Sequence, residues 1–449
     1  MWYTNILLSL AWAFCTHTSA PIDAVSVSLD RQAIAKQMEE WLNTGCLDNW
    51  YPRCIDAEAG GFYSDFDEEW NLSGKQNKMI VTQARHVWSL SVAAEFYPDR
   101  DYLSMAKHGF EFLRDHMWDA EVGGFFQTVD RNGAAIAGDD ASDIIKTAYG
   151  NAFGIYGCSA YYRASGNEQS LDLAKKAFAW LEEHSHDPQL LGYFQFLKRD
   201  GTARKAGHTA PPKDQNSSIH LLEALTELYH VWPDPLVKER LDEMLVLIRD
   251  TITGDKSYLT LFSQADWTPV EYRDSALEVR QAHYNLDHVS FGHDIETAYL
   301  LMEASHVSHH AEDEKTKMVA KQMVDHTLKN GWDKESGGIY DAGYYEVVGG
   351  PMKIIHHTKA WWAQLEAMNT MLIMADMYPD DEIKYEDFFV KQVQHIDQYL
   401  VDKTNGGFYI HSIDESPKAI QVHKGSIWKG NYHNLRSLVN CIKRLRNDH

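Results

Sequence analysis

Ala59-Gly60-Gly61-Phe62-Tyr63 returns as Val122-Gly123-Gly124-Phe125-Phe126 and as Leu191-Gly192-Tyr193-Phe194. It returns again as Ser336-Gly337-Gly338-Ile339-Tyr340 and Asn405-Gly406-Gly407-Phe408-Tyr409. The last glycines stand at 61, 124, 192, 338 and 407, so neighbouring copies are roughly 63–69 residues apart, with one gap about twice as long. That gap holds a degenerate copy, Asp255-Lys256-Ser257-Tyr258-Leu259, which makes six units. A fixed period of this kind marks a repeat architecture, in which each unit buries its apolar face only against its neighbours.

Between the turns lie pairs of segments with apolar residues at the 3.6-residue period, punctuated by Pro or Gly. They predict helices over 82–97 and 102–117, 146–165 and 170–184, and 216–232 and 235–251. Further pairs fall at 293–306 and 312–328, and at 358–378 and 385–400. An opening helix at 31–44 and a closing one after Tyr432 bring the total to about twelve. Six pairs close naturally into an all-α (α/α)6 toroid, with inner helices converging on a funnel and outer helices shielding them. The short aromatic runs after each Gly-Gly predict small β-hairpins in the loops at one end.

Length and composition agree with this. A chain of 449 residues with 44% hydrophobic content, 14 Trp and 23 Tyr can bury a large core and still line a cleft. The net charge of −23 argues against nucleic acid and anionic membranes as partners. No linker interrupts residues 21–449, which read as one catalytic domain. Residues 1–20 lack Asp, Glu, Lys and Arg, carry an apolar run from Ile6 to Cys15, and end in Thr18-Ser19-Ala20 before Pro21. They read as a signal peptide cleaved after Ala20, hence a secreted protein. In that compartment Cys46 and Cys54, flanking a short loop, are candidates for a local disulfide, and Asn71-Leu72-Ser73 for glycosylation. Cys158 and Cys441 lie on apolar helix faces and read as buried thiols.

Inner-helix starts carry polar residues where a core would prefer Leu. Gln83-Ala84-Arg85 opens one; Asn216 and His220 share a face of another; His293 and Glu296 share a face of a third. Trp428-Lys429-Gly430-Asn431-Tyr432-His433-Asn434 leads into the last. Taken as equivalent positions of the repeat, His220, His293 and His433 meet at one funnel mouth, with Glu296 raising the pKa of a neighbouring imidazole. Trp361, Trp362 and Trp428 suit a wall on which sugar rings stack, with Glu366 beside it. His306, His309, His310, His356 and His357 read as surface or satisfied core residues without a role in the site. His293-x-x-Glu296 is half of a metal motif, but no second half follows, so neither metal nor cofactor is expected.

These segments together resemble the N-acylglucosamine 2-epimerase superfamily, and within it the cellobiose 2-epimerases. The resemblance rests on Gln83-Ala84-Arg85, Lys146 to Phe153, Asn216 to Glu223, Gly292 to Glu296, Lys359 to Glu366 and Trp428 to Arg436. It implies an (α/α)6 barrel that inverts C2 of the reducing-end glucose or mannose of a β-1,4-linked disaccharide. His293 and His433 would be the acid–base pair acting through a cis-enediolate, and His220 would open the ring. Arg85 and Tyr149 would steady negative charge at O1 and O2, Glu296 would orient its histidine, and Asn216 and the tryptophans would bind sugar. The chain departs from the family pattern at Ser218, Ala363 and Asn431, where His, Pro and Pro are usual. Rival readings are a monosaccharide isomerase or 2-epimerase, a glycoside hydrolase working through a carboxylate pair, and a sugar-binding protein without catalysis. The sequence is compatible with a monomer or a homodimer.

Overall fold

The computed structural model describes residues 30–137, 144–204, 210–347 and 349–447. The expected signal peptide, residues 1–20, lies outside them. The helices in chain order are α1 (Arg31–Glu40), α2 (Asp48–Trp50), α3 (Ile80–Phe96), α4 (Tyr102–Phe112), α5 (Ala148–Ser165), α6 (Glu168–His184) and α7 (Gln215–Val231). They continue with α8 (Pro235–Leu247), α9 (Leu277–Asp287), α10 (Phe291–Ser308), α11 (Asp313–Asn330), α12 (Trp361–Met377), α13 (Tyr385–His395) and α14 (Tyr432–Arg446). Helices α3, α5, α7, α10, α12 and α14 each pack on the next, and α14 closes the ring onto α3. Outside them α4, α6, α8, α11 and α13 back their own inner partners, and α1 backs α14. This is the expected toroid.

The two rings differ because their sequences differ. Every residue of α3 from Ile80 to Ala93 is buried, as fits a helix enclosed on all sides. Outer α4 buries one stripe, Tyr102, Ala106, Gly109 and Phe110. Where α3 and α5 touch, a Cβ on Gly157 would stand 2.7 Å from the Ala84 carbonyl oxygen, so only glycine permits that approach. Helix α9 was not foreseen. It buries only Asp287, so it carries no apolar stripe for periodicity to reveal.

The strands correct the expected hairpins. β1 (Lys78–Met79) pairs with β2 (Thr128–Val129), β3 (Ile145–Thr147) with β4 (Phe196–Lys198), and β5 (Lys213–Asp214) with β6 (Phe262–Ser263), all antiparallel. Each pair joins the strand before an inner helix to the strand after the next unit's turn, so it stitches neighbouring units. Among the described strands only β8 (Ala342–Tyr345) and β9 (Met352–His356) form a true hairpin, beside β7 (Val289–Ser290). The Gly-Gly turns are closed by single bridges such as Trp118 to Phe125. Gly123 and Gly124 both have φ +74°, and a Cβ on either would come within 2.7 Å of the Trp180 ring.

A buried ion pair recurs at the stitches. Lys78, Lys146, Lys213 and Lys359 stand two residues before α3, α5, α7 and α12. They bind Asp56 (3.0 Å), Asp119 (3.1 Å), Asp187 (3.0 Å) and Asp333 (2.8 Å), each the fifth residue before its turn's last glycine. Lys424 binds Asp402 in the same way. A second recurring contact comes from the fourth residue of four inner helices. Gln83, Asn151, Asp294 and Gln364 accept the backbone N–H of Phe62, Phe125, Leu259 and Ile339 at 2.8–2.9 Å. Leu259 belongs to the degenerate copy, which is therefore a genuine sixth unit. Gln83 is a structural clamp rather than a funnel residue.

All four described cysteines are buried free thiols. The local disulfide expected between Cys46 and Cys54 is absent. Both are 1% exposed or less in the apolar core, where burial raises their pKa and keeps them as inert thiols.

Candidate active site

Side chains on an α-helix lean toward its N-terminus, so the first turns of the six inner helices aim at one end of the barrel. There they enclose a cleft of about 210 Å³, lined by Arg85, Tyr149, Asn216, His220, His293, Glu296, Trp361, Trp362, Trp428 and His433. Ten of the eleven residues singled out in the sequence meet here. The eleventh, Glu366, is fully buried and does not line the cleft. The histidines do not occupy equivalent repeat positions, as was expected of them. His433 is the second residue of α14, His293 the third of α10 and His220 the sixth of α7, so they reach the cleft from different depths.

Two of the imidazoles are backed by carboxylates. His220 Nδ1 lies 2.8 Å from Glu223 Oε2, and His433 Nδ1 lies 2.8 Å from Glu366 Oε1. A carboxylate only accepts, so each Nδ1 carries a proton, and in the neutral form of the ring Nε2 keeps its lone pair. Both carboxylates converge on Arg436. Its guanidinium binds Glu223, reaches Glu366 Oε1 at 2.7 Å and Glu296 Oε1 at 2.5 Å, and also takes the Tyr432 hydroxyl oxygen. Glu296, Glu366 and His433 are close enough to share a cation. The cation held by both carboxylates is Arg436.

Glu296 therefore does not serve His293. It sits 3.7 Å from His433 Nδ1 and belongs to the Arg436 cluster. His293 instead places Nδ1 2.7 Å from Ser290 Oγ, just before its helix. The i, i+3 spacing of His293 and Glu296 matches that of His220 and Glu223, but only the latter pair is bonded. His293 stands in the first helical turn and turns back to the preceding strand. Trp362 packs against both His293 and His433, with its centroid 4.7 Å from the first ring and 5.6 Å from the second.

Arg85 is the free charge of the cleft. It donates to Tyr149 Oη at 3.2 Å, lies over the rings of Phe153 and Tyr432, and has no carboxylate within ion-pair distance among the described residues. Its Nε is buried without a partner. Burial lowers the His293 pKa to about 3, and His220, His288 and Arg85 push the same way. Burial also holds His433 well below the ordinary imidazole range. Arg85 adds to that effect, and Glu296 opposes it without overcoming it. The rise expected from a neighbouring carboxylate is thus outweighed by desolvation. Burial pushes the Glu223 carboxyl up, but Arg436 and His220 bring it down to about 2. His293 and His433 thus face an unpaired guanidinium as neutral imidazoles.

Residues 61–437 match the family described as N-acylglucosamine 2-epimerase (GlcNAc 2-epimerase). The chain belongs to this family. It is 27% identical over 418 residues to the cellobiose 2-epimerase of Bacteroides fragilis, covering 92% of this chain and 99% of that one. It is 30% identical over 397 residues to the cellobiose 2-epimerase of Ruminococcus albus, covering 87% and 93%. Among solved structures, the cellobiose 2-epimerase from Spirochaeta thermophila superposes with a TM-score of 0.80 at 26% identity, covering 94% of this chain and 99% of that one. This family member is therefore an enzyme of the carbohydrate-epimerase class.

Several working residues of this epimerase-family site escaped the sequence reading. Arg436, Glu223 and Tyr432 lay in the quoted motifs without a role, and Ser290 was not singled out. The pattern His220-x-x-Glu223 was visible. Tyr432-x-x-x-Arg436, a cation one turn inside a fully buried helix face, was a second signal.

Proposed function

We propose that this enzyme inverts C2 of the reducing-end aldose of a β-1,4-linked glucose- or mannose-containing disaccharide. The observation that carries the reading is the convergence of His293 and His433 on Trp362, facing Arg85 in one cleft. One neutral imidazole removes the C2 proton of the open-chain sugar, leaving a cis-enediolate. The other returns a proton to C2 from the opposite face, and the C1 carbonyl re-forms. The same ring returning its proton to C1 would instead give a ketose. Arg85, with the Tyr149 hydroxyl beside it, meets the negative charge that develops on O1 and O2. It does so without a competing carboxylate and in a desolvated cleft. His220, whose Nε2 accepts, takes the O1 proton as the ring opens.

His433 is better placed to carry charge than His293, because Glu366 stands behind it and only a hydroxyl stands behind His293. Turnover needs one ring as imidazolium to return the proton, and at His433 the Glu296 and Glu366 carboxylates near Nδ1 oppose the burial that holds the charged form down. Trp428 stands at the rim 56% exposed, an open platform for a second sugar ring. Glu296 is the only carboxylate lining the cleft among the described residues, and Arg436 engages it, so no acid–base carboxylate pair supports hydrolysis. Residues 1–20, read as a cleaved signal peptide, would deliver the enzyme to oligosaccharides outside the cell.

The test is incubation with cellobiose, mannobiose, mannose and N-acetylglucosamine in D2O. Deuterium at C2 of a disaccharide, with epimer formed and a constant reducing-end count, is the expected result. New reducing ends, or deuterium at C1 with ketose product, would overturn it.

A further inference from the structure

The barrel has a second opening at the C-terminal ends of the inner helices. A cavity of about 260 Å³ lies there on the barrel axis, and one of about 510 Å³ lies beside it between α10, α12 and α14. The two adjoin, sharing Tyr299, Glu303, Asn440 and Lys443 as walls, and make up one two-part region. Its size falls in the range of small-molecule sites, roughly 300–1,000 Å³. Glu223 and Arg436 form part of its wall. These residues also anchor His220 and His433, so one layer of side chains separates this space from the catalytic cleft.

Its polar groups are unspent in both senses. Trp88 lines the axial cavity and Asn369 the lateral one. They are 6% and 1% exposed, and Trp88 Nε1 and Asn369 Nδ2 are buried donors with no partner among the described residues. Such orphans cost about 1–3 kcal/mol each unless something accepts from them. Glu303, shared by both cavities, is the complementary acceptor. It takes the Tyr299 hydroxyl and has no cation within ion-pair distance among the described residues. Burial raises its pKa to about 7. A cationic ligand would meet Arg436, Arg163 and Lys443, and an anionic one would meet Glu223, Glu227 and Glu303. Apolar walls come from Met302, Ile373 and Met377.

We propose that this space is a second binding site for a neutral polyhydroxylated molecule of monosaccharide size, distinct from the catalytic cleft. Such a ligand both donates and accepts, matching the orphan N–H groups of Trp88 and Asn369 and the free Glu303 carboxyl. It carries no charge to offend either set of ions. Its occupant would sit against Arg436 and Glu223, on the far side of the layer that orients the imidazoles.

Equilibrium dialysis of labelled D-mannose against the full chain tests this. Two sites per chain are expected. Met302→Trp fills the space from its half-buried rim and should leave one site, with the thermal melt unchanged. Asn369→Leu, which keeps the volume and removes the N–H, should weaken the same site at least several-fold. Trp362→Ala should remove the cleft site and spare this one. A single wild-type site lost in Trp362→Ala, or two sites surviving in Met302→Trp, overturns the proposal while leaving the epimerase reading in place. A single site lost in Met302→Trp but kept in Trp362→Ala upholds the proposal and counts against the cleft as a sugar site.

Discussion

Arg85 and Ser290 mark the two kinds of residue on which the reaction depends. Arg85 meets charge that exists only along the reaction path. Removing one such donor costs about 10²–10³ in kcat, so Arg85→Gln should lose that much with little change in KM. A loss confined to KM would show that Arg85 only binds ground-state sugar. Ser290 acts through His293 and is a positioning residue. Losing one hydrogen bond of about 0.5–1.5 kcal/mol makes Ser290→Ala slower by about two- to thirteenfold. Because the bond is to the titrating ring, the acid limb of the kcat–pH profile should move, and Ser290→Thr should restore it. An unmoved profile would reduce Ser290 to a strand residue. Sequence showed which imidazoles matter, because each lay in an aromatic and polar motif opening a helix. It did not show which carboxylate serves which ring. The i, i+3 pattern occurs twice, and only the starting turn of each helix separates the bonded pair from the unbonded one.

At the scale of elements, the stitches between units depend on buried lysines. Lys359 is inaccessible and pairs with both Asp333 and Asp414. Replacing it with Met strands two buried carboxylates, and breaking a buried pair costs about 3–5 kcal/mol. Lys359→Met should therefore melt far below the parent. Arg131, 35% exposed on the same kind of aspartate, is the contrast. Arg131→Met leaves Lys78 on Asp56 and should barely move the melt. Equal losses in the two variants would refute the distinction. The degenerate unit shows that the pair is not obligatory, since Val289 holds the position before α10. Asp294 there keeps the backbone clamp on Leu259 instead.

For the whole molecule, burying neutral histidines sets an acid limit. Burial lowers His86 and His293 each to about 3, below the ordinary 6.5 of an unfolded imidazole. Between those values the unfolded chain binds the extra protons, so stability is full above about pH 6.5 and falls as pH drops. The slope approaches about 1.4 kcal/mol per pH unit for each such group. Glu223, depressed to about 2, adds a further loss below about pH 4.5. Glu303 and Asp214, which burial raises to about 7 and about 6, oppose this, so the share of a ring is read as the pH dependence lost from urea midpoints between pH 6.5 and 4.5 in His86→Phe. An unchanged pH dependence in that variant would mean that the His86 ring is solvated in the folded chain.

The sequence by itself determined the number of units, the alternation of inner and outer helices, and the residues that open each inner helix. These follow from local rules: the period of apolar positions, the left-handed turns that demand glycine, and the lean of helical side chains toward the N-terminus. Only the tertiary structure decided that strands pair between units, that Cys46 and Cys54 stay apart as thiols, and that Glu296 and Glu366 serve Arg436 and His433. Those outcomes depend on distances between residues far apart in the chain and on how much water each polar group loses. Both are fixed only when the ring of helices closes.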